Sequence, residues 1–442
     1  MLLRFFTFLI FFLLLKGSCL GARVNIFLNI INPPPEEISF KLKKLYLLKE
    51  GERKLPLLQG KYVSSRVSFG QTLLTTQEIP PGTYKGLSLE ISDVCLGEGH
   101  LSSPAEPVII NLPFRLRGKA SLSLFILWYV RDSIQGSRFL PSFTGRLQGR
   151  PLREETLYVS CDDIDTLFAI RADTNQVVAS LAVSGSPTDM AISTAGNRLY
   201  VLAQDDRAIN VIELSSFRPI DSFFLPLATR PKYLALVGSR SAVITDPDSH
   251  FLLLVNLTSG GLLSSKRLGY QPSEVLYWED KGQIFVSSPT DQVVYILNTD
   301  LSSGGKLTGI MDPRGLWIRE KRLYVAEYRP GTLSIFNLDT GELVGRVRSG
   351  RGTIRVSGSD SRLYISNEEE GTVGIISPGQ LTISKKIRVN GSPFTMATYN
   401  QRKWLYVADR KGKGLVVIDT ISEKIVGRIE LGGTPFALVV HH

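Results

Sequence analysis

From about residue 156 onward the chain repeats one pattern. An apolar–aromatic–apolar triplet is followed by a polar loop, a second apolar run, a turn and a more polar run. The triplets are Leu157-Tyr158-Val159, Leu199-Tyr200-Val201, Ala242-Val243-Ile244, Ile284-Phe285-Val286, Leu323-Tyr324-Val325, Leu363-Tyr364-Ile365 and Leu405-Tyr406-Val407. Their starts are 42, 43, 42, 39, 40 and 42 residues apart. A proline turn opens the repeats that follow, at Gly185-Ser186-Pro187, Thr229-Arg230-Pro231, Tyr270-Gln271-Pro272, Met311-Asp312-Pro313, Gly391-Ser392-Pro393 and Gly433-Thr434-Pro435. The corresponding Gly350-Arg351-Gly352 has no proline. A period of about 40 residues with several short strands per repeat predicts a β-propeller, and seven copies predict seven blades. The first repeat begins at its second strand, and the chain ends on an opening strand with nothing after it. These two pieces predict one composite blade, closed by the C-terminal strand so that two sheet edges disappear.

Before residue 156 the periodicity is different. Residues 23–31, 39–48, 66–75, 84–96, 108–116 and 121–130 carry β-branched and aromatic content, separated by Pro- and Gly-containing breaks. In residues 84–91 the alternation puts Leu87, Leu89 and Ile91 on one face, as in a strand with one buried and one wet side. Six such runs predict a small β-sandwich over residues 22–131. Residues 132–155, with Gly136, Pro141, Gly145, Gly149 and Pro151, read as a linker whose Phe139, Leu140 and Phe143 pack on a domain surface. The expected class is therefore all-β, with the propeller over residues 156–442.

The leader changes the compartment. Arg4, the apolar run to Leu15 and the small residues around Gly17-Ser18-Cys19 have the layout of an export signal over residues 1–21. The run is short for a membrane span, which needs about 20 residues. Cys19 resembles a lipoprotein cleavage site, although Lys16 stands where that motif has Leu. It is a candidate lipidation site and membrane tether. An exported context would also permit a disulfide between Cys95 and Cys161; two free thiols are the alternative.

Charge adds a localised feature. The 442-residue chain carries a net +10. Residues 20–150 hold 17 Lys+Arg against 10 Asp+Glu, whereas residues 151–442 hold 32 against 31. The excess belongs to the N-terminal part, with no nucleic-acid motif beside it, and suits anionic envelope polymers or lipid.

Two resemblances follow from these motifs. Ile79-Pro80-Pro81-Gly82-Thr83-Tyr84, leading into an alternating strand, resembles the P-x-G-x-Y turn of prealbumin-like, Greek-key domains of bacterial envelope proteins. The repeats from about 155 to 440 resemble the Tyr-Val-Thr-Asn repeat family of bacterial and archaeal seven-bladed propellers, which includes surface-layer-type and periplasmic proteins. That resemblance implies that the proline turns and the loops after the triplets face one end of a central channel. At the family's Asn position stand Cys161, Ala203, Asp246, Ser288, Glu327, Asn367 and Asp409.

Two candidate sites arise at that channel mouth. Asp246, Glu327 and Asp409 occupy equivalent positions and could offer oxygen ligands to a cation, or each could cap its own turn. Asp189, Lys232, Glu274, Arg314 and Arg355 follow the proline turns, and such mixed charge suits an anionic or zwitterionic ligand, or mutual pairing. No haem, phosphate-loop or serine-elbow motif is present, no cofactor is implied, and His250 has no second histidine to join it. The expectation is an exported, non-catalytic, monomeric binding or scaffold protein of the bacterial or archaeal envelope, with a protein or polymer partner. The alternative is a periplasmic ligand-binding or hydrolytic (lactonase- or lyase-like) propeller.

Overall fold

The computed structural model describes residues 21–51, 53–151, 155–193, 197–359 and 361–441. Residues 1–20, with Cys19 and nearly all of the expected export signal, lie outside the described residues. What is described is all-β, and no helix is long and apolar enough to cross a membrane.

The N-terminal part has two main sheets facing one core, beside a small hairpin of Ile134–Gln135 and Arg138–Phe139. The first sheet runs Phe143–Leu147, Ser121–Tyr129, Ala22–Ile31, Gln71–Ile79. The second runs Lys54–Ser64, Ile38–Lys49, Gly82–Leu96, and this last strand also pairs with Gly99–Leu101 and Val108–Leu116. Leu87, Leu89, Ile91, Leu124, Ile126 and Trp128 meet in the core between them. The Pro80–Tyr84 turn has a mechanical cause: the fully buried Tyr84 donates its hydroxyl to the Pro80 carbonyl at 2.5 Å. Gly86 is required two residues later, because a Cβ there would lie 2.0 Å from the Ile110 carbonyl.

Two boundaries differ from the sequence reading. Residues 143–147, expected as linker, form an edge strand, because Phe143 can cover Phe40 and Trp128. The strand expected over 66–75 is Gln71–Ile79, preceded by a 3-10 turn at Ser68–Gly70, and Lys54–Ser64 is an additional edge strand.

The remainder forms seven four-stranded antiparallel sheets among the described residues. The first is composite: Pro435–His441, Thr156–Cys161, Thr166–Arg171, Gln176–Ala182, with Leu157 opposite Val440 and Tyr158 opposite Val439. The second to seventh sheets begin at Pro187–Ser193, Tyr233–Val237, Val275–Trp278, Pro313–Arg319, Thr353–Gly358 and Pro393–Tyr399. These opening strands touch one another in turn, and Pro435–His441 lies between the last and the first, so the contacts close a cycle around a central channel. The triplet strands are buried on both faces and are therefore almost continuously apolar. The outermost strands, such as Leu343–Arg348, are mostly exposed.

The N-terminal part seats on this ring across its closure. Asn25 Nδ2 donates to the Ser180 and Ser121 hydroxyls at 3.1 and 3.2 Å, and Gln148 bonds the Ser180 backbone on both sides. Gln71 brackets Val177 in the same way. Glu430, on the outer strand of the seventh sheet, accepts from the Thr72 hydroxyl and the Leu73 N–H. Phe27, Leu73 and Phe125 join the core of the first ring sheet.

Candidate functional site

Residues just after the opening turns of several sheets share one cavity at the mouth. The first position after the turn carries Lys232, Arg314, Ile354, Phe394 and Phe436, all of which line one cavity of about 510 Å3. At the second position Tyr233 and Arg355 also line it, whereas Asp189 and Glu274 do not. Loops add Arg230 and Arg410, with Asp162, Asp248 and Glu368 as the acidic members.

The cations are seated on rings. Arg355 lies 5.0 Å from the Tyr233 ring centroid and 4.7 Å from that of Phe394. Arg410 lies 5.0 and 5.6 Å from Phe394 and Phe436, and Lys232 lies 5.8 Å from both Tyr233 and Phe436. Three aromatic rings and three cations thus alternate around the mouth. An aromatic face steadies a cation without neutralising it, so each keeps charge for a ligand. Arg355 also donates to the Tyr233 hydroxyl at 2.7 Å, and Arg410 to Asp162 at 3.2 Å. Lys232 has no carboxylate within 4 Å among the described residues.

Asp189 and Glu274 do a different job. Asp189 accepts from the Leu234 N–H on the third sheet at 2.9 Å, and Glu274 accepts from the Leu316 N–H on the fifth at 3.0 Å. Both fasten neighbouring opening strands together. Burial, opposed by these N–H groups, pushes the Asp189 acid up to about 6. Burial pushes Glu274 up to about 7, against the pull of Arg355, whose Nη1 is 3.4 Å away. Glu274 lies deep in the molecule, yet 22% of its side chain remains exposed. Gly315 makes the close approach possible, since a Cβ there would lie 2.8 Å from the Arg355 Cα.

The other candidate set does not converge on the channel. Asp246 is fully buried and accepts from the backbone of Thr229, Arg230, Asp248 and Ser249. Asp409 accepts from the Ser392 and Gly412 N–H groups and from Arg428 at 2.8 Å. Glu327 accepts from the hydroxyls of Thr332 and Ser334. These oxygens are used within their own sheets, joining the proline turn or the outer strands to the triplet, so the ligand role considered for them is corrected to a structural one. Asn367 explains the repeat without proline: Thr353 stands in the proline's place and donates to Asn367 at 2.8 Å, as does Ser349. Among the described residues, no group of three or more His, Cys, Asp or Glu could hold a metal. His250 Nδ1 accepts the Gln271 N–H at 3.2 Å.

The disulfide is also corrected. Cys95 and Cys161 are free. Cys95 lies in the second N-terminal sheet, 3.5 Å from His100 Nδ1, and Cys161 is fully buried in the first ring sheet, next to Gly433.

Sequence reasoning missed Arg230, Arg410, Tyr233, Phe394 and Phe436. The three aromatics carry a signal, since each follows its proline by one or two residues. Of the two loop arginines, Arg230 is the middle residue of the Thr229-Arg230-Pro231 turn, whereas Arg410 carries no such signal.

No known family model matches the chain, and no curated protein does. Solved structures do. One is a functionally unknown protein from Desulfotomaculum acetoxidans, 16% identical, covering 65% of this chain and 99% of its own, with a TM-score of 0.58. Another is the dihydro-heme d1 dehydrogenase NirN in complex with DHE, 15% identical, covering 64% of this chain and 65% of its own, with a TM-score of 0.51. At this identity the likeness concerns the fold alone.

Proposed function

We propose that the chain is an exported, non-catalytic binding protein of the cell envelope that acts as a monomer. Its ring is read as a seven-bladed propeller of the Tyr-Val-Thr-Asn kind, and its N-terminal part as a prealbumin-like β-sandwich that orients the ring. The channel mouth holds an anionic group of a protein or envelope polymer. One observation supports this reading above the rest: five cations against three carboxylates around a cavity of about 510 Å3, four of the cations carried on aromatic rings. Such a surface favours anions electrostatically and excludes water around them with apolar walls.

The test is native mass spectrometry of the chain recovered from its own envelope fraction, beside the Lys232→Glu, Arg410→Glu double variant. The expected result is an anionic molecule or partner retained by the first and lost from the second, with unchanged circular dichroism. Equal retention by both would overturn the reading.

A further inference from the structure

Resting on that reading of the mouth, we propose that an anion held by Lys232, Arg355 and Arg410 binds together with a proton on Glu274. The wiring is geometric. Arg355 is the deepest of the three cations, 6% exposed, and is the one that joins the cavity to the strands behind it. Its charge faces the cavity on one side and Glu274 Oε2, at 3.4 Å, on the other. Ionised Glu274 therefore competes with the incoming anion for a single guanidinium.

The groups around Glu274 sharpen that competition. Arg355 attracts it from the sixth sheet and Asp189 repels it from the second. Lys232 and Tyr233 stand on the neighbouring third sheet and Arg314 on the fifth, where it is already held by Asp312 at 2.8 Å. With both acids ionised, two negative charges are coupled to Arg355 and little of its field is left for the mouth. A proton on Glu274 leaves Arg355 in excess, and an anion in the cavity in turn favours that proton by repulsion. The acid titrates near neutrality, so the exchange falls within the physiological range. The ligand class is a small anion or a carboxylate or phosphate group at the end of a larger molecule, taken up with one proton.

Sulfate is a suitable probe, because it stays dianionic from pH 5 to pH 9 and every pH effect then belongs to the protein. Isothermal titration of the full mature chain with sulfate, at constant ionic strength, should give a Kd that rises with pH. The slope steepens above pH 7, once free Glu274 is ionised, toward a limit of about tenfold per unit for one linked proton. Repeating it in buffers of different ionisation enthalpy should show proton uptake. Glu274→Gln should bind at every pH about as well as the parent does at pH 6, with no uptake, while Asp189→Asn keeps the slope. If Glu274→Gln fails to fold, the Glu274 carboxyl resonance of the parent serves instead, and its titration should move to higher pH when sulfate is added. A flat Kd, or a slope that survives Glu274→Gln, would overturn the proton link and leave the anionic mouth standing. Absence of sulfate binding at any pH, or binding undiminished in Lys232→Ala, Arg410→Ala, would overturn the mouth itself.

Discussion

At the scale of single residues the molecule separates acids that hold it together from cations that face outward. Asp409 takes two backbone N–H groups and Arg428 while 1% exposed. Removing it leaves buried donors unpaired, so Asp409→Ala should cost about 2–4 kcal/mol in denaturant unfolding and leave sulfate binding at the mouth in place. Glu274 acts in the opposite sense. Its folded acid sits near 7 against an ordinary value of 4.5, so the native state holds the proton that the unfolded chain releases. Stability from this group is complete below about pH 4.5 and is lost as pH rises to about 7, by up to about 3 kcal/mol. The difference in unfolding free energy between the parent and Glu274→Gln across that window measures it. Cys161 is pushed well above the ordinary thiol range, first by burial and then by Asp163 and Asp162. Timed alkylation with mass detection should label Cys95 first and Cys161 only after unfolding.

At the scale of elements, Pro435–His441 carries the ring. Its partner Thr156–Cys161 is buried on both faces, and each Leu or Val left uncovered costs roughly 1.5–3 kcal/mol. Ending the chain at residue 433 should therefore abolish the cooperative thermal transition of the ring sheets, read by circular dichroism. The triplets are legible in the sequence because a strand buried on both faces must be apolar throughout, and seven such strands at one period leave little ambiguity. Lys54–Ser64 is less legible: an edge strand with one wet face tolerates Gln59-Gly60-Lys61, which reads as a turn. The same logic divides the site. Lys232, Arg314 and Arg355 stand at fixed offsets from a proline turn or its replacement and can be found by counting. Arg230 and Arg410 sit on loops whose composition no packing constraint dictates, and only the closed ring brings them within one cavity. Counting also merges unlike roles at one position: second after the turn, Tyr233 and Arg355 line the mouth, whereas Asp189 and Glu274 fasten neighbouring strands.

At the scale of the whole molecule, the N-terminal sheets and the ring share core residues and a buried polar seam at Ser180. The parent should unfold in one transition. Ser180→Leu, which removes the hydroxyl shared by Asn25, Ser121 and Ser123 and crowds the seam, should split it in two by calorimetry. The seam also has a meaning in time. The strands that meet at the closure stand some 280 residues apart in the chain, so the ring is unfinished until residues 435–441 are made, whereas the N-terminal sheets need nothing beyond residue 147. An early-folding piece that grips both outer strands beside the gap, at Val177 and Glu430, becomes a template waiting for the strand Pro435–His441. Nascent chains arrested before residue 434 should hold a protease-resistant N-terminal core and a protease-sensitive remainder, and release of the final nine residues should harden the whole at once.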